Sequence, residues 1–303
     1  MSPSSWFRPA AWWPPLLLLL VVLTGWQTAV WWFDWPVFLV PAPTDVATAV
    51  VEDGDRLLSA TARTGVAAVA GFAASLLGGV LIAVIFSQSR LVRASCYPYA
   101  IFLQTVPIIA IAPLIITWFG TGFASVVLVT LIISLFPIIA STTSGLLNID
   151  EDLLELFRLY RAGRWQVLWK LRLPHAVPYL VTGARTSSGM AVIGAIVGEF
   201  FVGHTTTHYG LGYLVLSTSQ NLKTAHLFAA VIASALLGIA LFGIVTLTGS
   251  TLLARWGWGP LRSKNCQRRD NRPVNNNNDP ATTLPDTLAC RPPPLAGFDT
   301  GRL

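Results

Sequence analysis

The sequence predicts an all-α integral membrane protein with about six transmembrane helices. Three observations carry that prediction. Charged residues make up only 11 % of the 303 residues, less than half of the roughly 25 % usual in soluble domains. They are also unevenly spread: residues 94–149 contain no Asp, Glu, Lys or Arg over 56 positions, and 9–33, 64–89 and 224–254 contain none either. Finally, the basic residues cluster at the ends of these runs rather than on one face. A soluble chain must cover its surface with polar groups, and a disordered one lacks such apolar content, so both classes are excluded. The net charge of +6 does not point to nucleic acid, because the cations flank apolar runs.

Each span follows from the roughly 20 apolar residues a helix needs to cross the hydrocarbon layer. The first covers about 14–33. Arg8 and the leucine run 16–23 resemble a signal peptide, but the apolar stretch continues through Trp26, Val30, Trp31, Trp32 and Phe33. No small-x-small cleavage site follows the leucines, so a retained first helix is expected. An acidic segment with Pro36, Pro41 and Pro43 comes next, and 45–60 could form a short helix on the membrane surface. The second span covers about 65–86 and is rich in small residues. The 56-residue run is too long for one helix and breaks at Gly120-Thr121-Gly122, giving spans at about 97–119 and 124–146. A charged stretch, 150–172, precedes the fifth span at about 177–202, and the sixth covers about 225–253. The chain thus divides into an N-terminal segment (1–56), a five-helix core (57–255) and a tail (256–303). Asparagine and proline runs mark the tail as disordered.

Positive residues favour the cytoplasmic side. With the N-terminus inside, 16 of the 20 Lys and Arg fall on cytoplasmic segments and three (Arg56, Arg63, Lys223) outside. Both termini are therefore expected in the cytoplasm. Within the spans, Gly71, Ser75 and Gly79, and likewise Gly194 and Gly198, fall at four-residue spacing, which lets helix backbones approach closely within the chain or across a subunit interface. Arg185 and Glu199 are the charges of the fifth span. They lie about 21 Å apart on a helix and cannot pair; each either snorkels to its nearer interface or belongs to a pathway or to another helix.

Several chemistries lack their residues. Cys96, Cys266 and Cys290 have no zinc or disulfide spacing. His204 and His208 are four apart but sit in a threonine-rich loop without further ligands. None of the three lysines follows a glycine, so no phosphate-binding loop exists. No zinc-protease or serine-hydrolase motif occurs. No cofactor or metal is expected on this chain.

The 150–172 stretch is strongly patterned. Asn148 or Asp150 can cap a helix whose first turn holds Glu151 and Asp152. Leu153, Leu154, Phe157 and Tyr160 form an apolar stripe, and Gly163 can stop the helix. A second helical stretch, 164–171, ends at Pro174 or leads there into the fifth span. Pattern alone leaves two readings, an interfacial helix on lipid or a docking helix for a cytoplasmic partner.

The run from Glu155 to Pro174 resembles the EAA loop of binding-protein-dependent ABC importer permeases, which reads Glu-Ala-Ala, three residues, Gly, nine residues, Ile-x-Leu-Pro. Glu155 takes the Glu position, and Leu171, Leu173 and Pro174 the last three fixed ones. Residues 104–120 (Gln-Thr-Val-Pro-Ile-Ile-Ala-Ile-Ala-Pro and onward), 193–200 and Gly210-Leu-Gly-Tyr213 resemble the nitrate/sulfonate/taurine branch. Leu156 and Phe157 replace the two alanines, and Arg161 occupies the usual glycine position, with Ala162 and then Gly163 following. A left-handed turn there suits glycine, so the turn is expected to move to Gly163. The resemblance implies a type I importer bundle in the bacterial inner membrane and a second permease copy. It also implies a cytoplasmic ATPase that consumes ATP and docks on 150–174, and an external solute-binding protein. For the solute path, candidates are Gln104, Pro107, Pro113, Trp118, Ser134 and Glu199. An ion-gradient-driven transporter is the alternative, but it would need titratable groups near mid-membrane, which this bundle almost lacks.

Overall fold

The computed structural model describes residues 13–202 and 210–255, and the described elements are all helical. In chain order they are α1 (Trp13–Phe33), α2 (Pro43–Glu52), α3 (Gly54–Gln88), α4 (Arg90–Thr105), α5 (Ile108–Phe119), α6 (Phe123–Leu147), α7 (Glu151–Leu159), α8 (Arg164–Val167), α9 (Leu173–Val202), α10 (Leu211–Gln220) and α11 (Thr224–Arg255). A π-helical turn, Leu168–Arg172, joins α8 to α9. Five helical stretches are long and apolar enough to cross a membrane: α1, α3, α6, the continuous run from Arg164 to Val202, and α11. In hydrocarbon every backbone group must be satisfied internally, which helices achieve. The expectations for Arg8, His204, His208 and the tail fall outside the described residues. The described residues up to Leu253 belong to one unit, while Ala254 and Arg255 end α11 and open a second.

Three expected boundaries change. The surface helix at 45–60 is instead divided. Asp45 accepts the Ala42 N–H at 3.0 Å to start α2 behind Pro43, and α3 starts at Gly54, so the second span has 35 residues and begins eleven earlier than expected. The third span, expected over 97–119, is broken into α4 and α5 at Val106-Pro107. Proline lacks an N–H and pushes the residue before it to extended backbone, and Val106 has ψ 127°. The fifth span does not start after Pro174. Helix continues through that proline, with the π turn placed immediately before it. A widened turn is one of the ways a helix absorbs a lost i→i−4 bond.

The centre of the bundle is α6, gripped between α3 and α9. The small residues of the second and fifth spans make this grip. A Cβ on Gly79 would lie 2.6 Å from Ile138 of α6, and one on Gly194 would lie 2.8 Å from the Thr130 backbone. Gly71 also meets Thr130, and Gly198 meets Val126. Of the two readings of this stripe, the close packing within the chain is the one observed. Polar groups reinforce it: the Ser187 hydroxyl donates to the Ser134 carbonyl at 2.7 Å. By contrast, α1 and α11 present uncovered Leu, Val and Ile side chains along most of their length, as lipid-facing helices do.

Candidate functional site

The patterned stretch 150–172 forms the helix–turn–helix that its sequence suggests. Asp150 caps α7 by accepting the Asp152 N–H at 3.2 Å. Glu155 is exposed on this helix, as are Leu153, Leu156, Leu159 and Tyr160. Trp165 and Trp169 continue the uncovered aromatic surface beyond the turn, at 70 % and 67 % exposure. Apolar side chains this exposed in a charged segment mark a contact surface rather than a solvated face.

The turn itself corrects an expectation. Arg161 adopts φ +50°, the left-handed conformation, while Gly163 is extended at φ −68° and caps α8. The bend therefore stays at the position where the motif has glycine. Its hydrogen bonds explain why. The Ala162 N–H donates to Phe157 O at 3.0 Å and the Arg161 N–H to Arg158 O at 2.9 Å, the paired bonds of a Schellman ending around the C-cap Tyr160. Gly163 serves the next helix instead: its N–H donates to the Gln166 side chain at 3.0 Å.

From this turn the chain is tied into the bundle. Leu168 and Ala176 are buried with Ala83 of α3 and Leu146 of α6, and Leu173 packs against them. Leu171 and Pro174 are half-buried on the same run. Two donors from the run satisfy carbonyls in the last turns of α3 and α6, where intrahelical partners end. Arg172 Nη1 donates to Ser87 O at 2.7 Å, and His175 Nδ1 lies 3.0 Å from Gly145 O. Sequence reasoning missed both, because a bond to a distant carbonyl leaves no local signature; the only hint was an arginine next to a span.

The opposite ends of α3 and α9 meet at a second junction. Glu199 is buried, at 8 % exposure, so it does not snorkel. The Thr64 hydroxyl donates to its carboxyl oxygens at 2.9 and 3.0 Å, and the Gly212 N–H donates at 2.9 Å. The Leu211 N–H in turn donates to Thr64 Oγ1 at 2.8 Å. The N-cap of α10 is Gly210, which has no side chain, so the first orphan N–H groups of that helix are capped by residues of α3 and α9. A Cβ at Gly210 would run into the Glu199 carboxyl, and one at Gly212 would lie 2.7 Å from Glu199 Cβ. The Gly-Glu-Phe and Gly-Leu-Gly segments, separate in sequence, thus form one packed unit. Beside it lies a cavity of about 680 Å³ lined by Ser59, Arg63, Phe123, Glu199 and Gly210 among others.

The other path candidates scatter. Gln104 is exposed near the end of α4, Pro107 precedes α5, and Pro113 and Trp118 are exposed on α5. Ser134 does not face open space. Its side chain is fully buried and its hydroxyl donates to Thr130 O at 2.7 Å, so it belongs to the α6–α9 contact and not to a path.

Residues 75–253 match the model of the family described as binding-protein-dependent transport system inner membrane component. A probable ABC transporter permease protein of Haemophilus influenzae is 32 % identical over 222 residues, 73 % of this chain and 89 % of that one. The riboflavin transport system permease protein of Chloroflexus aurantiacus is 34 % identical over 78 % of this chain and 87 % of its own length. The formylaminopyrimidine transport permease protein of Halalkalibacterium halodurans is 30 % identical over 71 % and 85 %. With a family match across more than half its length, laid over an apolar multi-helix bundle, the chain belongs to the binding-protein-dependent inner-membrane permeases, the membrane-spanning subunits of ABC importers.

Proposed function

We propose that this chain forms the solute path of an ATP-driven importer for a small solute, delivered by an external binding protein. Two permease copies enclose the path. A cytoplasmic ATPase docks on α7 and the turn after it, with Glu155, Arg161, Ala162 and Gly163 at the contact. Leu171, Leu173 and Pro174 carry its motion inward. ATP is bound and hydrolysed by that partner, and this chain binds no cofactor. The core lies within 57–255, and both termini face the cytoplasm. Gln104, Pro107, Pro113 and Trp118 line the open side of the path, and Glu199 walls its outer cavity. The named relatives carry different solutes, so the solute is not transferred from them. An oxyanion such as nitrate, a sulfonate or taurine, or a thiamine-precursor-like vitamin, is in keeping with the branch that the sequence resembles.

The observation that carries this reading is the joint one at 150–176. A helix with exposed Leu153, Leu156 and Leu159 precedes a stem whose Arg172 and His175 hold the ends of α3 and α6. A partner that moves the helix moves the bundle. The test is co-purification of the full chain with the ATPase co-expressed from its own operon. Complex formation is expected with the intact chain, with loss on deleting 150–164 and weakening with Glu155→Ala. A complex unaffected by the deletion would overturn the docking assignment.

A further inference from the structure

One charged side chain has no role in either junction. Arg185 lies near the middle of α9, 12 residues beyond Leu173 and 17 before Val202, about 18 and 25 Å along the axis. It makes no ion pair among the described residues, and its Nε is buried without a hydrogen-bond partner. Glu199, the other charge of the span, lies 14 residues away and is engaged by Thr64 and Gly212.

The face of α9 that carries Arg185 differs from the uncovered faces of α1 and α11 in holding a charge at mid-span. Thr182 and Thr186 are exposed beside it, one turn apart, and Gly189 continues the stripe with open space where a Cβ would stand. Both hydroxyls donate to their own helix, Thr182 to Pro178 O and Thr186 to Thr182 O, which leaves the Arg185 guanidinium as the outward donor here. On α1 and α11 the uncovered positions are Leu17, Leu18, Val21, Ile232, Leu236 and Ile239, with threonines such as Thr24, Thr28, Thr248 and Thr251 bonded to their own helices but no Asp, Glu, Lys or Arg before Arg255. Those faces suit lipid. A cation at mid-span does not, because an unpaired charge in hydrocarbon is disfavoured unless water or a partner group reaches it. Such a face fits a water-filled cavity better than lipid, and no carboxylate among the described residues pairs with the cation.

We propose that Arg185, at mid-span on the partly uncovered face of α9, is an anion-binding point in the solute path and selects solutes that carry an oxyanion group, such as a sulfonate, nitrate or carboxylate. The proposal rests on the reading of this chain as a path-forming permease and narrows its solute class. A planar guanidinium suits such groups because its donors match two oxygens at once.

The test uses paired thiol reagents of similar size and opposite charge, 2-sulfonatoethyl methanethiosulfonate and 2-(trimethylammonium)ethyl methanethiosulfonate. They are applied to membranes holding the full chain co-expressed with its ATPase, with Cys96, Cys266 and Cys290 changed to serine. Rates are normalised to those of a small thiol in solution. Thr186→Cys, or Thr182→Cys if the first does not assemble, is expected to react well above a lipid-facing Leu18→Cys baseline and to prefer the anionic reagent by about fivefold or more. Arg185→Gln in the same background should bring the preference close to unity, and Arg185→Lys should retain it. Labelling no faster than Leu18→Cys, or a preference that survives Arg185→Gln, would overturn the proposal. Retention of the co-purifying ATPase is read on the same samples, so failure of the anion site and failure of the permease assembly give different results.

Discussion

At the scale of single residues, Arg161 shows a backbone demand overriding a side-chain preference. A left-handed conformation costs a residue with a Cβ on the order of 1–2 kcal/mol, yet the two Schellman bonds that end α7 hold Arg161 there. Replacing it with glycine removes that strain but adds disorder to the unfolded chain, worth roughly 0.5–1 kcal/mol in the other direction. The strain term wins narrowly. Arg161→Gly should slow amide hydrogen exchange across α7 by roughly threefold, and faster exchange would show that Arg161 makes a stabilising contact through its side chain. Thr64 offers a sharper case. Its hydroxyl both donates to Glu199 and accepts from Leu211 N–H, so Thr64→Val keeps the shape and orphans groups on two other helices. Leaving such buried groups unsatisfied costs about 1–3 kcal/mol. The detergent-solubilised protein should melt several degrees lower, whereas Thr48→Val, at an exposed hydroxyl bonded only to its own helix, should leave the melting temperature unchanged.

At the scale of helices, what could be read in the sequence was what hydrocarbon imposes. The ends of α1, α6 and α11 fall within one or two residues of the expected spans, because charge and hydropathy change abruptly there. The start of α3 was not legible, and Pro107 and Pro174 marked points of disturbance without telling whether helix would stop, as at Val106-Pro107, or pass through, as at Pro174. Each is settled by capping, by a proline's local geometry or by a neighbour contributed from far along the chain. The 150–172 stretch was legible as a helix and a turn, but its anchors were not. Arg172 and Ser87 are 85 residues apart, and only the packing of α9 against α3 brings them together. On the proposed docking of an ATPase at α7, that bond makes Arg172 a positioning residue between α7 and the bundle. Arg172→Met keeps much of the apolar stem and removes the donor. A hydrogen bond from a charged group is worth about 1.5–3 kcal/mol, so stimulation of ATP hydrolysis by the loaded binding protein should fall by roughly tenfold while the ATPase still co-purifies. Arg172→Lys, which retains one donor, should recover part of the stimulation. Equal loss of complex and stimulation would instead assign Arg172 to docking alone.

At the scale of the whole molecule, the two junctions lie at opposite ends of α3 and α9, and this fixes the direction in which the charges should be read. One end holds the Arg172–Ser87 and His175–Gly145 bonds beside α7; the other holds Thr64, Glu199 and the start of α10. Basic residues crowd the first end, with Arg158, Arg161, Arg164, Lys170 and Arg172 in a single stretch and Arg90 and Arg93 at the start of α4. At the second end Arg56, Arg63 and Lys223 stand among Asp45, Glu52, Asp53 and Asp55. Positive charge near short loops resists translocation, so the first end should stay in the cytoplasm. The odd helix α1 then starts inside, and α11 returns the chain inside at Arg255. Fusions test this end by end. A reporter that is active only outside the cytoplasm, such as alkaline phosphatase, should be active when joined after Asp53 or Leu222 and silent after Asn148 or Arg255. A fluorescent reporter that folds only inside should give the reverse pattern. Because the broken pair α4–α5 is the expected span for which the described residues show no single long helix, the fusion after Thr121 decides whether that pair spans. External activity there means that it crosses. Silence would mean that the pair re-enters on the cytoplasmic side, which would place the docking helix α7 outside and leave the ATPase without its contact.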